Sequence, residues 1–495
     1  MQRPNIVLCL CDQLRAFETG CYGNAAVRTP SLDRLAAQGV RFETAVSNTP
    51  VCMAARSALL SGQYARTCNG YLENDWTSTG GKGLGALEPE WPEEKRGARL
   101  PGTTLPEALG RAGYRCQAVG KWHIRPSPRA VGFDGSVLPL NNHRHSGQSF
   151  RVDGGAPTPF DGFSPQGEIE AVERYLAGRA GQPDPFFLYY NIMPPHMPLG
   201  DMPERYRALH APDQIDLRPN VEIDGRLPHS EEWFRIYLWD YAYYHHREGH
   251  TLDLPAGFDI RALTALYYGA VAWVDDTVGR LLRALEANGL GENTVFVFTS
   301  DHGDNLGSHG RWNKGVLLEE SIRVPLLWRF PGRWAPGVNR SQAAGLVDIM
   351  PTLLEACGVE APDGVQGQSL LPLLGGERDR LERDWAFIET PASLHGDGCT
   401  EIGVRTPTHL CGMRLEAGGR RVADPDYMFH DLGRDPYQLD NLAAPGRTSA
   451  LQTRLKQRLL AWHRDTPWLE EPDCGPDRTR LFDADGLPRP GADHT

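Results

Sequence analysis

With 495 residues, 40% of them hydrophobic and 23% charged, the chain can bury a large core and has the composition of a folded enzyme, not of a disordered tract. A formal net charge of −12 without any long basic block excludes a nucleic-acid or anionic-membrane surface. The ten cysteines are scattered without a CxxC pair, and no apolar run is long enough for a signal core or a membrane span, so the expectation is a cytoplasmic protein with reduced thiols.

The first element is the apolar run NIVLCLC, Asn5–Cys11, read as a buried parallel strand in which Cys9 and Cys11 are small core residues; Asp12 and Gln13 follow it. NTPVCMAARSALLSG, residues 48–62, then reads as a helix ending at glycine, with Cys52 at its first turn and Arg56 one turn later. Residues 103–113 form a helix, and RCQAVG, Arg115–Gly120, forms a strand followed by Lys121 and His123. Residues 141–160 read as a loop, 168–178 as a helix, and FFLYYNI, Phe186–Ile192, as a strand that precedes His196. The aromatic-rich stretch 202–258 interrupts the alternation as a pocket wall, oligomer surface or ordered insertion, with the structural readings preferred. A long helix over 262–289, a strand over 293–300 followed by Asp301 and His302, a further parallel strand over 324–330 and a helix over 347–358 complete the series.

This alternation predicts an α/β fold with a large, mainly parallel sheet sandwiched by helices. Short strand-like pieces after Arg380, with a helix around 449–463, predict a smaller C-terminal α+β domain holding a short antiparallel sheet. The expected division is 1–379 and 380–495. The last stretch, from Asp473 on, could wrap the first domain or a neighbouring subunit, which leaves a homo-oligomer open.

The polar residues of interest directly follow the strands, at the edge where open α/β sheets collect ligands. Asp12, Gln13, Asp301 and His302 offer two carboxylates, an amide oxygen and an imidazole, a set suited to a divalent cation. Calcium is the first choice; the imidazole keeps manganese and magnesium open. Lysine is rare: of five in the chain, Lys121 and Lys314 fall in the suspected site, where lysine, unlike arginine, can donate a proton. For Cys52, residue physics leaves two readings, a thiolate activated at a helix N-terminus or a buried structural cysteine.

The chain resembles the sulfatase branch of the alkaline phosphatase superfamily. The resemblance rests on RPNIVLCLCDQ, TPSLDRLAAQGVRFETAVSNTPVCMAARSALLSGQY, GYRCQAVGKWH, PFFLYYNIMPPHMPL, TVFVFTSDHGDNLGSHGRWNKGVLLEESIRVPLLWRFPG, GLVDIMPTLLEACGV and MFHDLGRDPYQLDNLA. It implies that Cys52, in a C-x-P/A-x-R motif with Ala54 at the proline position, is oxidised by a maturation enzyme to formylglycine, whose hydrate is the nucleophile. It further implies an alkaline phosphatase-like fold, Asp12, Gln13, Asp301 and His302 as metal ligands, and Arg56, Lys121 and Lys314 on the anionic oxygens. His196 or Lys314 would protonate the leaving oxygen, His123 would take the second hydroxyl's proton, and Asn74 would contact the substrate. Gln13 replaces a more usual Asp, and His302 stands where many members have Asn. The implied substrate is a sulfate monoester of a small molecule or glycan. Two alternatives accompany this reading: a phosphonate monoester hydrolase or phosphodiesterase of the same superfamily, and a non-catalytic sulfate-ester-binding protein with unmodified Cys52.

Overall fold

Every residue of β1 (Asn5–Cys11) is buried, and its side chains divide by parity between two cores. Val7, Cys9 and Cys11 join one cluster; Ile6, Leu8 and Leu10 join the other. A strand reads as a continuous apolar run when both faces of its sheet are covered. The computed structural model describes residues 3–69, 72, 100–124, 126–140, 143–221, 241–243, 258–391, 399–416, 419–443 and 449–469.

The main sheet has ten strands in the order β10-β2-β9-β8-β1-β7-β3-β4-β5-β6. These are β2 (Val40–Val46), β3 (Arg115–Gly120), β4 (Gly135–Pro139), β5 (Ser149–Val152), β6 (Thr158–Pro159), β7 (Phe186–Ile192), β8 (Thr294–Ser300), β9 (Leu326–Arg329) and β10 (Gly337–Gly345). The block β8-β1-β7-β3-β4 is parallel, as is the β2–β10 pair. The run 324–330, expected to be a parallel strand, contributes β9, which is antiparallel to both β2 and β8. Burial on both faces made it apolar, and burial carries no information about direction.

Helices cover both faces. The helix Ile260–Ala287 is capped by Asp259, whose side chain accepts from the Arg261 and Ala262 amides. It packs Leu263, Tyr267, Val271, Val274 and Val278 into the first core. The helix Ile349–Ala356 fills the second core with Ile349, Met350, Leu353 and Leu354. Among the described residues, no helix is long and apolar enough to cross a membrane.

A separate four-stranded antiparallel sheet follows, β11 (Ala386–Glu389), β12 (Thr400–Arg405), β13 (His409–Leu415) and β14 (Val422–Asp431). The helix Ala450–Asp465 packs Leu455, Leu459 and Trp462 onto it. This small sheet is tied to the segment that joins β2 to the helix beginning at Cys52. Asn48 Nδ2 donates to the Phe387 carbonyl at 2.7 Å and the Glu389 amide donates to the Asn48 carbonyl at 2.9 Å. Most of the aromatic-rich stretch 202–258, the residue Asn74 and the stretch from Asp473 onward lie outside the described residues.

Candidate active site

Register builds the site. Cys11 is opposite Ser300 on β8 and Ile192 on β7, and Gly120 is opposite Asn191. The residues that follow these strands, Asp12, Asp301 and Lys121, therefore leave the sheet at one edge. Gly120 has φ +87°, and a Cβ there would stand 2.0 Å from the Asn191 carbonyl oxygen, so only glycine lets the chain turn this close to β7. The Lys121 amide then donates to that carbonyl at 3.1 Å.

The helix Cys52–Ser61 begins at Cys52 and is buried along its whole length. Arg56, one turn on, shares the face of Cys52. Its guanidinium bridges the two carboxylates: Nε donates to Asp301 Oδ2 at 3.0 Å and Nη2 to Asp12 Oδ2 at 3.0 Å. Nη1 donates to the Lys121 carbonyl and to Asn191 Oδ1, both at 3.1 Å. Lys121 Nζ lies 2.7 Å from Asp12 Oδ2. Burial and the neighbouring Cys52 push the Asp12 carboxyl up, but the charges of Lys121 and Arg56 outweigh them and hold it below the usual carboxylate range.

Four groups converge on the Cys52 sulfur. Lys314 Nζ is 3.0 Å away, His302 Nε2 3.1 Å and Asp12 Oδ1 3.7 Å, while His123 adds a side-chain hydrogen bond. Burial would raise this thiol, yet the charges of Lys314, Lys121 and His302 hold it well below its ordinary value. Burial likewise pulls Lys314 down, but Cys52 and Asp12 outweigh it and keep the ammonium charged. Cys9 and Cys11, in the core, are pushed the other way by burial, as expected of structural thiols.

Asp12, Cys52, Asp301 and His302 each offer a ligand atom, and those atoms lie within 4.8 Å of one another. His302 Nδ1 lies 2.8 Å from the Gly303 carbonyl, which can only accept, so Nδ1 carries a proton, and in the neutral ring Nε2 is the atom that offers a lone pair. Gln13 Oε1 joins the same space through its 3.3 Å contact with Lys314 Nζ. Two buried carboxylates and an imidazole nitrogen gathered in this way, with an amide oxygen beside Lys314, fit a divalent cation.

Nearby, the His196 Nδ1–H donates to the Met197 carbonyl at 2.6 Å, and burial with the Lys121 charge pushes the imidazole down to about 3. His196 is thus neutral, with Nε2 as an acceptor. His143, between β4 and β5 in the stretch 141–160 that was expected to be a loop but contains β5 and β6, was not among the expected site residues; its ring lies 5.2 Å from that of His123 and 5.2 Å from that of His196. Burial and Lys121 hold it well below the ordinary imidazole value. No strand is predicted before it, so the sequence carried no signal that set it apart from Arg144 and His145. Asp304 was also missed, although it stands in the quoted run SDHGD.

The fold agrees with the comparisons to known proteins. The Sulfatase family model matches residues 4–359. The chain belongs to the sulfatase family. A second model, the C-terminal region of N-sulphoglucosamine sulphohydrolase, matches residues 307–465 and so straddles the expected division at 379. The chain is 29% identical to an ulvan-active sulfatase of Formosa agariphila, over 92% of this chain and 80% of that protein. It is 30% identical to human arylsulfatase A, over 92% and 87% respectively. In fold it is similar to a protein solved in complex with its substrate, D-glucosamine-2-N,6-O-disulfate, with a TM-score of 0.74, 23% identity and coverage of 95% and 99%. The phosphonate monoester hydrolase of Agrobacterium radiobacter gives a TM-score of 0.70 at 24% identity, covering 94% and 96%. Family membership and the sulfatase relatives make this sulfatase a sulfuric ester hydrolase, and they favour neither the phosphonate nor the non-catalytic alternative.

Proposed function

We propose that the pocket cleaves a sulfate monoester at its S–O bond, using a formylglycine derived from Cys52 and a divalent cation, calcium before manganese or magnesium, held by Asp12, Gln13, Asp301 and His302. The observation that carries this reading is the convergence of Lys314 Nζ at 3.0 Å and His302 Nε2 at 3.1 Å on the buried Cys52 sulfur. As its hydrate, formylglycine supplies a hydroxyl nucleophile, and the cation when bound supplies Lewis-acid polarisation and a template for the sulfate.

The chain's own residues do the rest. Lys121 and Lys314 bind the sulfate oxygens and stabilise the charge that builds on them in the transition state. Arg56, whose donors are turned to Asp12 and Asp301, keeps both carboxylates ionised and separated, and so acts as a positioning group. Lys314, a charged donor, protonates the departing alcohol oxygen; His196, neutral at rest, shares that task once the substrate anion raises its proton affinity. His123 takes a proton from the second hydroxyl at position 52. The net charge of −12 makes this local excess of cations a selector for anionic substrates.

The substrate class is a sulfated small molecule or glycan, with Asn74 as a substrate contact. We read the setting as cytoplasmic, because the ten cysteines are scattered along the chain without a CxxC pair or a regular framework. We also read 1–379 as the catalytic unit and 380–495 as the smaller one, with a formylglycine-generating enzyme and a second copy of the chain as partners. Peptide mass spectrometry of position 52, run beside a sulfate-release assay on aryl and sugar sulfates, tests the reading. Turnover should follow the aldehyde content and vanish in Cys52→Ala; full turnover by a plain thiol or by Cys52→Ala would refute it.

A further inference from the structure

Gln13 stands between two groups of opposite hydrogen-bonding character. Its Oε1 accepts from Lys314 Nζ at 3.3 Å, and its Nε2 donates to Asp304 Oδ2 at 2.6 Å and to the Tyr241 hydroxyl. The Tyr241 hydroxyl in turn donates to Asp304 Oδ2, which closes a triangle. An ammonium only donates and a carboxylate only accepts. Turning the amide over would set NH2 against the ammonium and the carbonyl against the carboxylate, so the two ends of this amide are not interchangeable.

The frame around the amide is fixed as well. Gln13 is left-handed at φ +69°, an uncommon conformation for a residue with a Cβ. Its backbone amide donates to Asp301 Oδ1 at 3.1 Å and its carbonyl accepts from the Tyr267 hydroxyl at 2.7 Å. Asp304 is wholly buried, and its other oxygen accepts from the Leu306 amide at 2.8 Å.

We propose that Asp304 is a positioning residue that fixes the flip of the Gln13 side-chain amide, so that oxygen and not NH2 faces the cation. This rests on the metal reading above. It also explains how an amide serves where a carboxylate would need no such partner: a carboxylate has two equivalent oxygens, whereas an amide ligand must be oriented.

Calcium titration of the full chain by calorimetry, with circular dichroism of each metal-free variant, tests the proposal. In Asp304→Asn a single oxygen must serve both the Leu306 amide and Gln13, and calcium affinity should fall about ten- to a hundredfold. The pair Gln13→Glu and Gln13→Glu/Asp304→Asn reverses donor and acceptor. In Gln13→Glu the introduced carboxylate faces that of Asp304, whereas in the double variant it meets the NH2 of an amide, so the double variant should bind calcium more tightly than Gln13→Glu. Equal affinity of Asp304→Asn and the parent, or of the two Gln13→Glu proteins, would overturn the proposal. Should Asp304→Asn not fold, Gln13→Glu decides alone: despite its added charge it should bind calcium no more tightly than the parent, and tighter binding counts against the lock. A parent that takes up no divalent cation overturns it outright. A parent that binds calcium yet releases no sulfate would instead refute the proposed function and leave the affinities to decide this question.

Discussion

Arg56 grips a single oxygen of Asp301 with two nitrogens, Nε at 3.0 Å and Nη2 at 2.9 Å, while Nη2 also reaches Asp12. All three side chains are wholly buried. A lysine presents one point charge and cannot span both carboxylates while filling the Lys121 and Asn191 acceptors. Arg56→Lys should therefore lose about 3 kcal/mol or more of stability, the scale for breaking a buried pair, together with calcium affinity. Urea unfolding and a calcium titration check both; parental values in each would mean that the bridge is not needed.

Removal of metal has a directional consequence. Without a cation, Asp12 Oδ1 and Asp301 Oδ1 face the same imidazole, at 3.5 and 3.6 Å from His302 Nε2, and only the Arg56 and Lys121 contacts hold the two carboxylates in place. Treatment with a chelator should abolish sulfate release and lower the melting temperature. Calcium re-added at about a hundred times its dissociation constant should restore about 2.7 kcal/mol. A melting temperature indifferent to chelator and calcium would argue against a cation in this pocket.

Glu168, in the helix Ser164–Arg179, is wholly buried, and burial pushes its carboxyl up to about 8 against a weaker pull from Ser164. The folded protein therefore holds a proton that the unfolded chain releases near pH 4.5. Its contribution to stability is complete below pH 4.5 and is lost as pH rises toward 8, on the order of 4 kcal/mol across the window. Glu168→Gln removes the titration. The gap in unfolding free energy between variant and parent should widen in the variant's favour from about pH 5 to about pH 8, and parallel pH profiles would contradict the assignment.

Gly120→Ala should be costly for a local reason. The added Cβ meets the Asn191 carbonyl oxygen, and φ +87° is unfavourable for any L side chain, together at least about 2 kcal/mol. Because Lys121 follows directly, kcat should fall beyond what the lost folded fraction explains. Assays in the cold, corrected for that fraction, check this; unchanged kcat would mean that Lys121 tolerates the displacement.

The central strands were legible because burial on both faces writes itself as unbroken apolar sequence in β1, β7 and β8. Edge strands such as β10, GVNRSQAAG, with exposed polar residues, carry no such signature and were missed. The convergence of Asp12, Lys121, Asp301 and His302 followed from their place after strands. Cys52 and Arg56 followed from helical spacing. The partners were not legible: Arg56 and Asp301 are 245 residues apart, and Gln13 and Asp304 291 apart, so only the sheet register brings them together. His143 and Asp304 looked like ordinary loop residues for the same reason.

Cys52 has no exposed surface, and the groups that enclose it, Asp301, His302 and Lys314, arrive some 250 residues later in the chain. The thiol is thus reachable during synthesis and shut away once the last central strand docks. Any catalyst that remakes this side chain has a brief opportunity, set by how fast the ribosome delivers the second half of the polypeptide relative to collapse of the sheet.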